Sequence, residues 1–275
     1  MTDMGSILHV ARTPAAPNRP PMDVSWRGSW AMVQRNRDVY LKTWKTNFLP
    51  PLLEPLLYLL SMGFGVGALV REIGGVSYAQ FIAPAILAIT MMQGAFFETT
   101  YNSFVRMYFQ KTWDAVTATP TSIDDVLWGE IVWAAAKSTI NATLMAVVIA
   151  AFGLLPWAML LLVPVVAFVA GLAFGGIGLA VSALVRGIDG FSIAIYLFVT
   201  PMMLFSGTFF PLANLPAAAQ YVAKALPLTH TVETVRALAA GDPLAIPAFA
   251  VAYLLAAAVL CPLGAMLLMR RKLIV

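Results

Sequence analysis

Residues 159–185 read MLLLVPVVAFVAGLAFGGIGLAVSALV, a stretch without a single Asp, Glu, Lys or Arg. A helix needs about 20 mostly apolar residues to cross roughly 30 Å of hydrocarbon, and this stretch is longer than that. It also contains Gly171, Gly175, Gly176 and Gly178, and small residues at such spacing let helices approach closely in lipid. The stretch therefore predicts a membrane-spanning helix, with a tight contact inside the chain favoured over a dimer seam.

Five other segments have a similar length and composition. The predicted spans are 48–70, 81–101, 138–155, 159–185, 191–211 and 246–269. Hydrophobic residues make up 60% of the chain and charged residues only 11%, whereas soluble domains carry about 25% charged residues. The sequence therefore predicts an all-α integral membrane protein with six transmembrane helices.

The distribution of Lys and Arg predicts the orientation. If the N-terminus is cytoplasmic, 14 of the 17 Lys and Arg residues fall on the cytoplasmic side, and only Arg71, Lys224 and Arg236 fall outside. Cytoplasmic loops carry such an excess of basic residues. We therefore expect both termini in the cytoplasm. This distribution explains the net charge of +4 better than a nucleic-acid partner does.

The N-terminal region divides into two predicted parts. Residues 1–24 are rich in Pro, Ala and Arg, lack the apolar core of a secretory signal, and predict a flexible cytoplasmic tail. Residues 25–47 predict an interfacial connecting helix, because apolar and aromatic residues recur at helical spacing while Arg35 and most other basic residues lie elsewhere. The recurring residues are Trp26, Trp30, Val33, Tyr40, Leu41 and Trp44. A soluble docking helix is the alternative.

The predicted cytoplasmic loop, residues 102–125, contains a short amphipathic segment. Phe104 and Tyr108 share one helical face, and Thr119 and Pro120 end the segment. Residues 121–125 then predict the cap and the acidic first turn of the next helix. The remaining residues of interest here are Arg106, Lys111 and Trp113. Such a segment suits a lever that a cytoplasmic partner can push, and a solvated connector is the alternative.

Residues 212–244 are too long for a tight turn and too apolar for an ordinary exposed loop. Prolines divide them into short helical pieces, and such pieces are tolerated at membrane depth only inside protein or around a water-filled cavity. An external re-entrant helical hairpin is the prediction, with Pro227, His230, Glu233 and Arg236 as its notable residues. His230 and Glu233 are too few for a metal site, since the only other His is His9, so we expect packing or capping roles.

Four ionisable residues are candidates for a gate or a transport path. Glu54, Glu98, Glu130 and Lys137 fall in or beside predicted spans, where an unpaired charge costs several kcal/mol. Glu98 and Lys137 have similar predicted depth, and we hypothesise that they form a pair. Carboxylates that reach interfacial water singly are the alternative.

The sequence contains no sign of catalytic chemistry of its own. A phosphate-binding loop of the G-x-x-x-x-G-K-[ST] type requires a Gly-Lys pair, which the chain lacks. Ser206 precedes Gly207 as in an intramembrane serine protease, but Leu204 stands where that motif needs Gly. Asp189 lies in a Gly-rich turn without the aspartyl-protease order. We expect no catalytic residue, metal or cofactor in this chain; an intramembrane hydrolase and a non-catalytic assembly component remain as alternatives.

Six motifs follow one another along the chain: LEPLLYL at 53–59, FIAP at 81–84, TATPTS at 117–122, GE at 129–130, FSGTFFP at 205–211 and LPLTHTVETVR at 226–236. In their order and placement they resemble the motifs of the ABC-2 type transporter permeases, especially the branch of nodulation-factor and daunorubicin-resistance-type exporters. The resemblance begins near Arg27 and continues to the C-terminus.

The resemblance implies a permease subunit in a bacterial inner membrane that exports an amphipathic or lipid-linked molecule. It implies pairing with a second copy and with two cytoplasmic subunits that bind ATP and Mg. It also implies that the helix before the first span and the loop after the second contact those subunits.

Overall fold

The computed structural model describes residues 22–70 and 72–273, and most of them are helical. The predicted tail 1–24 lies almost entirely outside the described residues. The α-helices are α1 (Trp26–Lys42), α2 (Trp44–Leu60), α3 (Gly67–Leu69), α4 (Tyr78–Phe97), α5 (Thr112–Thr117), α6 (Ile123–Ala151), α7 (Val163–Leu184), α8 (Gly190–Ala194), α9 (Thr200–Phe205), α10 (Ala217–Lys224), α11 (Pro227–Ala239) and α12 (Ala248–Leu273).

Within the described residues, five continuous helices are long and apolar enough to cross a membrane. They are Leu52–Leu69, Tyr78–Phe109, Ile123–Ala151, Val163–Leu184 and Ala248–Leu273. The predicted fifth span, 191–211, corresponds to a shorter apolar helix, Gly190–Phe205. The helical, membrane-spanning class is confirmed, while the number of six spans stays a prediction.

Two helices extend beyond the predicted spans, through segments that contain charged residues. The α4 helix does not end near residue 101 but continues through π-helical turns at Glu98–Asn102 and Val105–Phe109. The α6 helix begins at Ile123 instead of 138, so Lys137 lies in its interior. Hydropathy decreases where Glu98, Arg106 and Glu130 occur, and for that reason the predicted spans exclude part of both helices. In the structure these three side chains pair with one another, and both helices continue through them.

The centre of the bundle is formed by α4, α6, α7 and α12. A side chain at Gly171 would collide with Ala135 of α6, and one at Gly176 would collide with the backbone at Pro262 of α12. A side chain at Gly178 would collide with Thr99, which follows α4. The glycines of α7 therefore mediate contacts inside the chain, as predicted.

The first helix, α1, packs along the start of α6. A side chain at Gly28 would collide with the carboxylate of Asp125, and one at Gly129 would collide with Met32 and with the carbonyl of Ser29. The two glycines thus allow α1 and α6 to pack closely.

The predicted apolar face of α1 is divided between two environments. Val33 and Tyr40 are buried, whereas Trp26 and Trp30 are exposed and stack on each other with ring centroids 5.9 Å apart. Trp44 is also exposed, but it lies on α2 because α1 ends at Lys42. The single predicted helix 25–47 is therefore wrong, although its exposed indoles suit a membrane interface.

The predicted hairpin region 212–244 does consist of short helical pieces. They are the 3₁₀ turns Leu212–Asn214 and Pro243–Ala245 and the helices α10 and α11, and Pro227 is the first residue of α11. The α11 helix packs against α4 and α12, and its re-entrant placement stays a prediction. Two antiparallel strands, β1 (Glu72–Ile73) and β2 (Val76–Ser77), precede α4 and are a small departure from an all-α fold.

Candidate functional site

Four ionisable side chains meet inside the bundle and form what we call the charge cluster: Glu98, Arg106, Glu130 and Lys137. Glu98 and Arg106 lie on the continuation of α4, eight residues apart and therefore on one helical face. Glu130 and Lys137 lie one heptad apart on one face of α6. Glu130 is fully buried, Glu98 is 2% exposed and Lys137 is 9% exposed, so the cluster belongs to the protein interior.

The Glu98 carboxylate accepts four hydrogen bonds. Lys137 Nζ donates to Oε2 at 2.7 Å, so the predicted pair is present. Asn102 Nδ2 also donates to Oε2, at 2.6 Å. Arg106 NH1 donates to Oε1 at 2.8 Å, and Trp133 Nε1 donates to the same oxygen at 3.1 Å. A carboxylate has about four acceptor positions, so Glu98 is saturated.

Arg106 connects the two carboxylates of the cluster. Its Nε donates to Glu130 Oε1 at 2.9 Å and its NH2 donates to Glu130 Oε2, a bidentate geometry. Trp113 Nε1 of α5 donates to the same Glu130 Oε1 at 3.3 Å. Bidentate bonds between charged groups are stronger and more directional than neutral ones. The short helix α5 is thereby joined to a buried charge of α6.

The charges of the cluster balance, with two carboxylates facing two cations. Desolvation of each ion costs several kcal/mol, and buried ions are tolerated when attraction and hydrogen bonds offset that cost. Removal of one partner leaves its counterpart buried and unpaired, which typically costs 3–5 kcal/mol. The cluster therefore holds α4, α5 and α6 in one arrangement, and any rearrangement must move charges together.

Two small cavities adjoin the Glu98–Lys137 pair. One, of about 170 Å³, is also lined by Arg35 and Tyr40 of α1. The other, of about 180 Å³, is also lined by Glu54 of α2. Glu54 is exposed and makes no ion pair within the described residues. Three of the four predicted gate residues thus line these cavities, with Glu54 at the edge, and Glu130 is connected to them through Arg106.

Two residues of α1, Arg35 and Tyr40, lie beside the charge cluster and have shifted pKa values. Burial lowers the pKa of Arg35, and repulsion from Arg106 adds to that effect. The NH2 group of Arg35 donates a hydrogen bond to Thr112 Oγ1 at 3.2 Å. Burial, together with the negative charge of Glu98, raises the pKa of Tyr40. Arg35 lies on α1, as predicted, and its side chain reaches α5; its interfacial role stays a prediction.

The residues predicted for coupling divide into a buried and an exposed set. Phe104 and Trp113 are buried, and Tyr108 is half-buried with its ring 4.5 Å from that of Phe104. Arg106 belongs to the charge cluster. The exposed members are Lys111, Thr119 and Pro120, and Phe109 is exposed beside them. A partner protein therefore has direct access only to the exposed set.

Sequence reasoning missed a second polar connection between α1, α6 and α12. Asp124 Oδ2 lies 3.1 Å from Arg270 NH1 and accepts the backbone N–H of Asp23 at 3.0 Å. Asp125 accepts hydrogen bonds from the backbone and hydroxyl of Ser25. The predicted cap at 121–125 is confirmed: Ser122 and Asp125 form a reciprocal capping box. The two adjacent acids were the available signal for further partners.

In the region predicted to face outward, the notable residues have structural partners. His230 Nδ1 lies 3.2 Å from Glu233 Oε2, and its Nε2 lies 2.8 Å from the carbonyl of Lys224. Arg236 NH2 donates to the carbonyl of Gly207 at 2.6 Å, and its guanidinium carbon lies 4.0 Å from the ring centre of Phe81. Burial lowers the pKa of Arg236 to about 10, against the opposing effect of Glu233.

The two residues considered for the alternative hydrolases, one of the serine type and one of the aspartyl type, lie in different parts of the chain. Asp189 lies in the turn closed by the Gly190 N–H and the Gly187 carbonyl, as predicted, while Ser206 follows α9. They flank the helix Gly190–Phe205, which at 1.5 Å per residue is about 24 Å long. Among residues 22–70 and 72–273, no three His, Cys, Asp or Glu side chains are grouped to hold a metal.

Long apolar helices around a buried, charge-balanced cluster define a multi-pass membrane protein with ion pairs between its helices. The family model described as ABC-2 type transporter matches residues 28–239. The chain belongs to this family and is a transport permease.

Known relatives agree with this assignment. The chain is similar to nodulation protein J of Rhizobium meliloti, with 36% identity over 220 residues, 80% of this chain and 83% of that protein. It is 37% identical to nodulation protein J of Rhizobium leguminosarum bv. viciae over 82% of this chain and 86% of that protein. The inner membrane transport permease YadH of Escherichia coli is 22% identical over 72% of this chain and 77% of that protein.

Proposed function

We propose that the chain is the permease subunit of an ATP-driven exporter for an amphipathic or lipid-linked molecule, such as a lipo-oligosaccharide, a glycolipid or a hydrophobic drug. It acts with a second copy of itself and with two cytoplasmic subunits that bind ATP and Mg. Membership of the ABC-2 type transporter family and the likeness to nodulation protein J support this proposal.

The observation that carries the proposal is the connection between the 102–125 segment and the buried charge cluster. Arg106 and Trp113 both donate to Glu130, while Arg106 also reaches Glu98. A force applied to the exposed residues beside α5 is transmitted to charges of both α4 and α6. Such a connection converts a push from an ATP-binding subunit into a change of helix packing.

The cluster also suits a gate on the cytoplasmic side of the path. Two cavities adjoin the Glu98–Lys137 pair, and both are lined by Glu98, Asn102 and Lys137. Separation of this pair joins the two cavities, with Glu54 at one end and Arg35 at the other. Each released charge then needs water or a new partner, so the open state is available only while the path is hydrated.

In this proposal α1 lies in the cytoplasmic interface of a bacterial inner membrane, with both termini in the cytoplasm. The exposed indoles of Trp26, Trp30 and Trp44 suit the headgroup depth, where Trp is enriched. The exposed residues Phe109, Lys111, Thr119 and Pro120 face the ATP-binding subunit.

The test is purification of the complex from its native membrane in a mild detergent. We expect an ATP-binding subunit in equal amount with the permease, and loss of that subunit in the variant Phe109→Ala/Lys111→Glu. Tyr221→Ala, an equally exposed aromatic on α10, serves as the matched control and retains the subunit. A folded permease that never co-purifies with an ATP-binding subunit would contradict the proposal.

Substrate class is tested separately, in proteoliposomes that contain the whole complex. We expect ATP hydrolysis to rise several-fold when a lipid-linked oligosaccharide is added, and to stay constant with the free oligosaccharide. A larger response to the free sugar would contradict the amphipathic substrate.

A further inference from the structure

A cavity of about 600 Å³ lies at the opposite end of α4 from the charge cluster. Phe81 and Pro84 line it, and Glu98 follows Phe81 by 17 residues, which corresponds to about 26 Å of helix. The remaining walls come from the connection between α6 and α7 and from the end of α11, including Leu154, Trp157 and Arg236. The cavity is thus near the membrane surface that the charge distribution places outside.

The walls of this cavity are amphipathic. Phe81, Pro84 and Leu154 provide apolar surface, and Gln80 provides an amide. Arg236 is the only charged residue among the described residues that line it. Trp157 is 61% exposed, as expected for an indole at the lipid headgroups. A ligand of this cavity needs an apolar part and an anionic part.

No carboxylate among the described residues is in direct contact with Arg236, and Glu233 acts on its charge only from a longer distance. Among the described residues Arg236 makes no ion pair, and its buried Nε has no hydrogen-bond partner. The acidic side chains near it in sequence are engaged elsewhere, since Glu233 contacts His230 and Asp242 accepts from the backbone N–H groups of Leu244 and Ala245. A guanidinium has five N–H donors, and only one of them, on NH2, has a partner in the described residues.

Arg236 is nevertheless held in a fixed position. The ring of Phe81 lies against its guanidinium, and the carbonyl that it donates to belongs to Gly207, whose φ of +73° favours glycine. A fixed, desolvated guanidinium with free donors binds oxyanions in a directional way. The side chain is therefore prepared for an anion before one arrives.

We propose that this cavity is a binding site for an anionic phospholipid of the outer leaflet, with the phosphodiester at Arg236 and an acyl chain along Phe81, Pro84 and Leu154. A zwitterionic lipid fits the apolar walls equally well but brings a cation beside Arg236. The site therefore selects for net negative headgroup charge. It is independent of the transport proposal, because lipid binding requires neither ATP nor cargo.

The test is native mass spectrometry of the purified full-length permease during titration with phosphatidylglycerol or with phosphatidylcholine of identical acyl chains. We expect one phosphatidylglycerol per chain to bind at least about 10-fold more tightly than phosphatidylcholine. Arg236→Gln loses this one lipid, and any lipids at the cytoplasmic basic residues remain. Lys224→Gln removes another cation of the same region, outside the cavity, and retains the lipid.

Two further variants protect the test against a folding defect in Arg236→Gln. Ala240→Trp narrows the cavity and leaves the charge in place, and we expect it to weaken phosphatidylglycerol binding several-fold. Arg236→Lys keeps the charge without the planar donors, and we expect intermediate affinity. Equal phosphatidylglycerol binding in the wild type and in folded Arg236→Gln would overturn the proposal. Tight binding of inorganic phosphate alone at this site would overturn its lipid part.

Discussion

The charge cluster and Arg236 are at opposite ends of α4, and buried charge is accommodated differently at each. In the cluster, two carboxylates and two cations satisfy one another, and Glu98 alone accepts four hydrogen bonds. Arg236 has a ring and one carbonyl but no carboxylate among the described residues. The cluster is complete within the chain, whereas Arg236 depends on a partner from outside it. The first arrangement joins helices through balanced charges, whereas the second leaves N–H donors free for a ligand.

The largest expected effect is the loss of a cluster carboxylate. Glu98→Gln leaves Lys137 without a counter-ion and Arg106 with one instead of two, so we expect a loss of about 3–5 kcal/mol in stability. Thermal unfolding in detergent, followed by intrinsic fluorescence, measures this as a large fall in Tm. Glu54→Gln, at an exposed carboxylate of α2, is the control and shifts Tm little. Equal Tm shifts in Glu98→Gln and Glu54→Gln would contradict a special contribution of the charge cluster to stability.

Arg106→Lys is expected to have the next largest effect. The ammonium keeps the positive charge but cannot donate in a bidentate manner to Glu130 and reach Glu98 together. We expect a destabilisation of about 2 kcal/mol, in line with lost bonds between charged groups. Arg37→Lys, at an exposed ion pair with Asp38, is the matched control. A Tm unchanged by Arg106→Lys would mean that charge alone holds the cluster.

The Glu98–Lys137 pair is tested by a double-mutant cycle. Because each single variant leaves a buried partner unpaired, the double variant Glu98→Gln/Lys137→Gln should be milder than the sum of the singles by about 1 kcal/mol or more. The measurement is the Tm of all four proteins under one condition. If the stability changes of the two single variants add up to that of the double variant, Glu98 and Lys137 do not stabilise each other.

Arg236→Gln is expected to have the smallest effect on stability in lipid-free detergent. The substitution removes the hydrogen bond from Arg236 to the Gly207 carbonyl, which lowers the stability by about 1 kcal/mol. It also removes a desolvated charge that makes no ion pair among the described residues, which raises the stability. We expect a net change within about 1 kcal/mol, seen as a small Tm shift. A shift as large as that of Glu98→Gln would make Arg236 a structural charge and remove the contrast between the two ends.

The sequence predicts one side of this contrast better than the other. The depth of Glu98 and Lys137 follows from counting residues along helices, and that count brings the pair together correctly. The spacing of Glu98, Asn102 and Arg106 on one face also lay in the sequence, but only under the assumption that α4 continues beyond residue 101. Hydropathy ends a span where charges begin, so it hid both the helix extension and the contact of Trp113 with Glu130.

The cavity at Arg236 could not be predicted from the sequence. It is formed by residues from three separate stretches of chain, and each of them is unremarkable alone. Periodicity places Arg236 on a helix in the hairpin region, but no pattern shows that Phe81 lies against it or that Gly207 accepts its hydrogen bond. The prediction of a single helix to residue 47 was also wrong, since α1 ends at Lys42 and α2 begins at Trp44. Helical periodicity does not show a break at a single residue.

Gly28 leaves room only for the Asp125 side chain of α6, and Gly129 leaves none for a side chain of its own against Met32 and the Ser29 carbonyl of α1. Two cylinders in such close contact cannot slide or roll past each other without a collision, so they turn as one stiff body. We therefore expect a movement of α1 to displace α6, and Glu130 and Lys137 with it. Through this contact, the position of α1 is coupled to the ion pairs of the charge cluster.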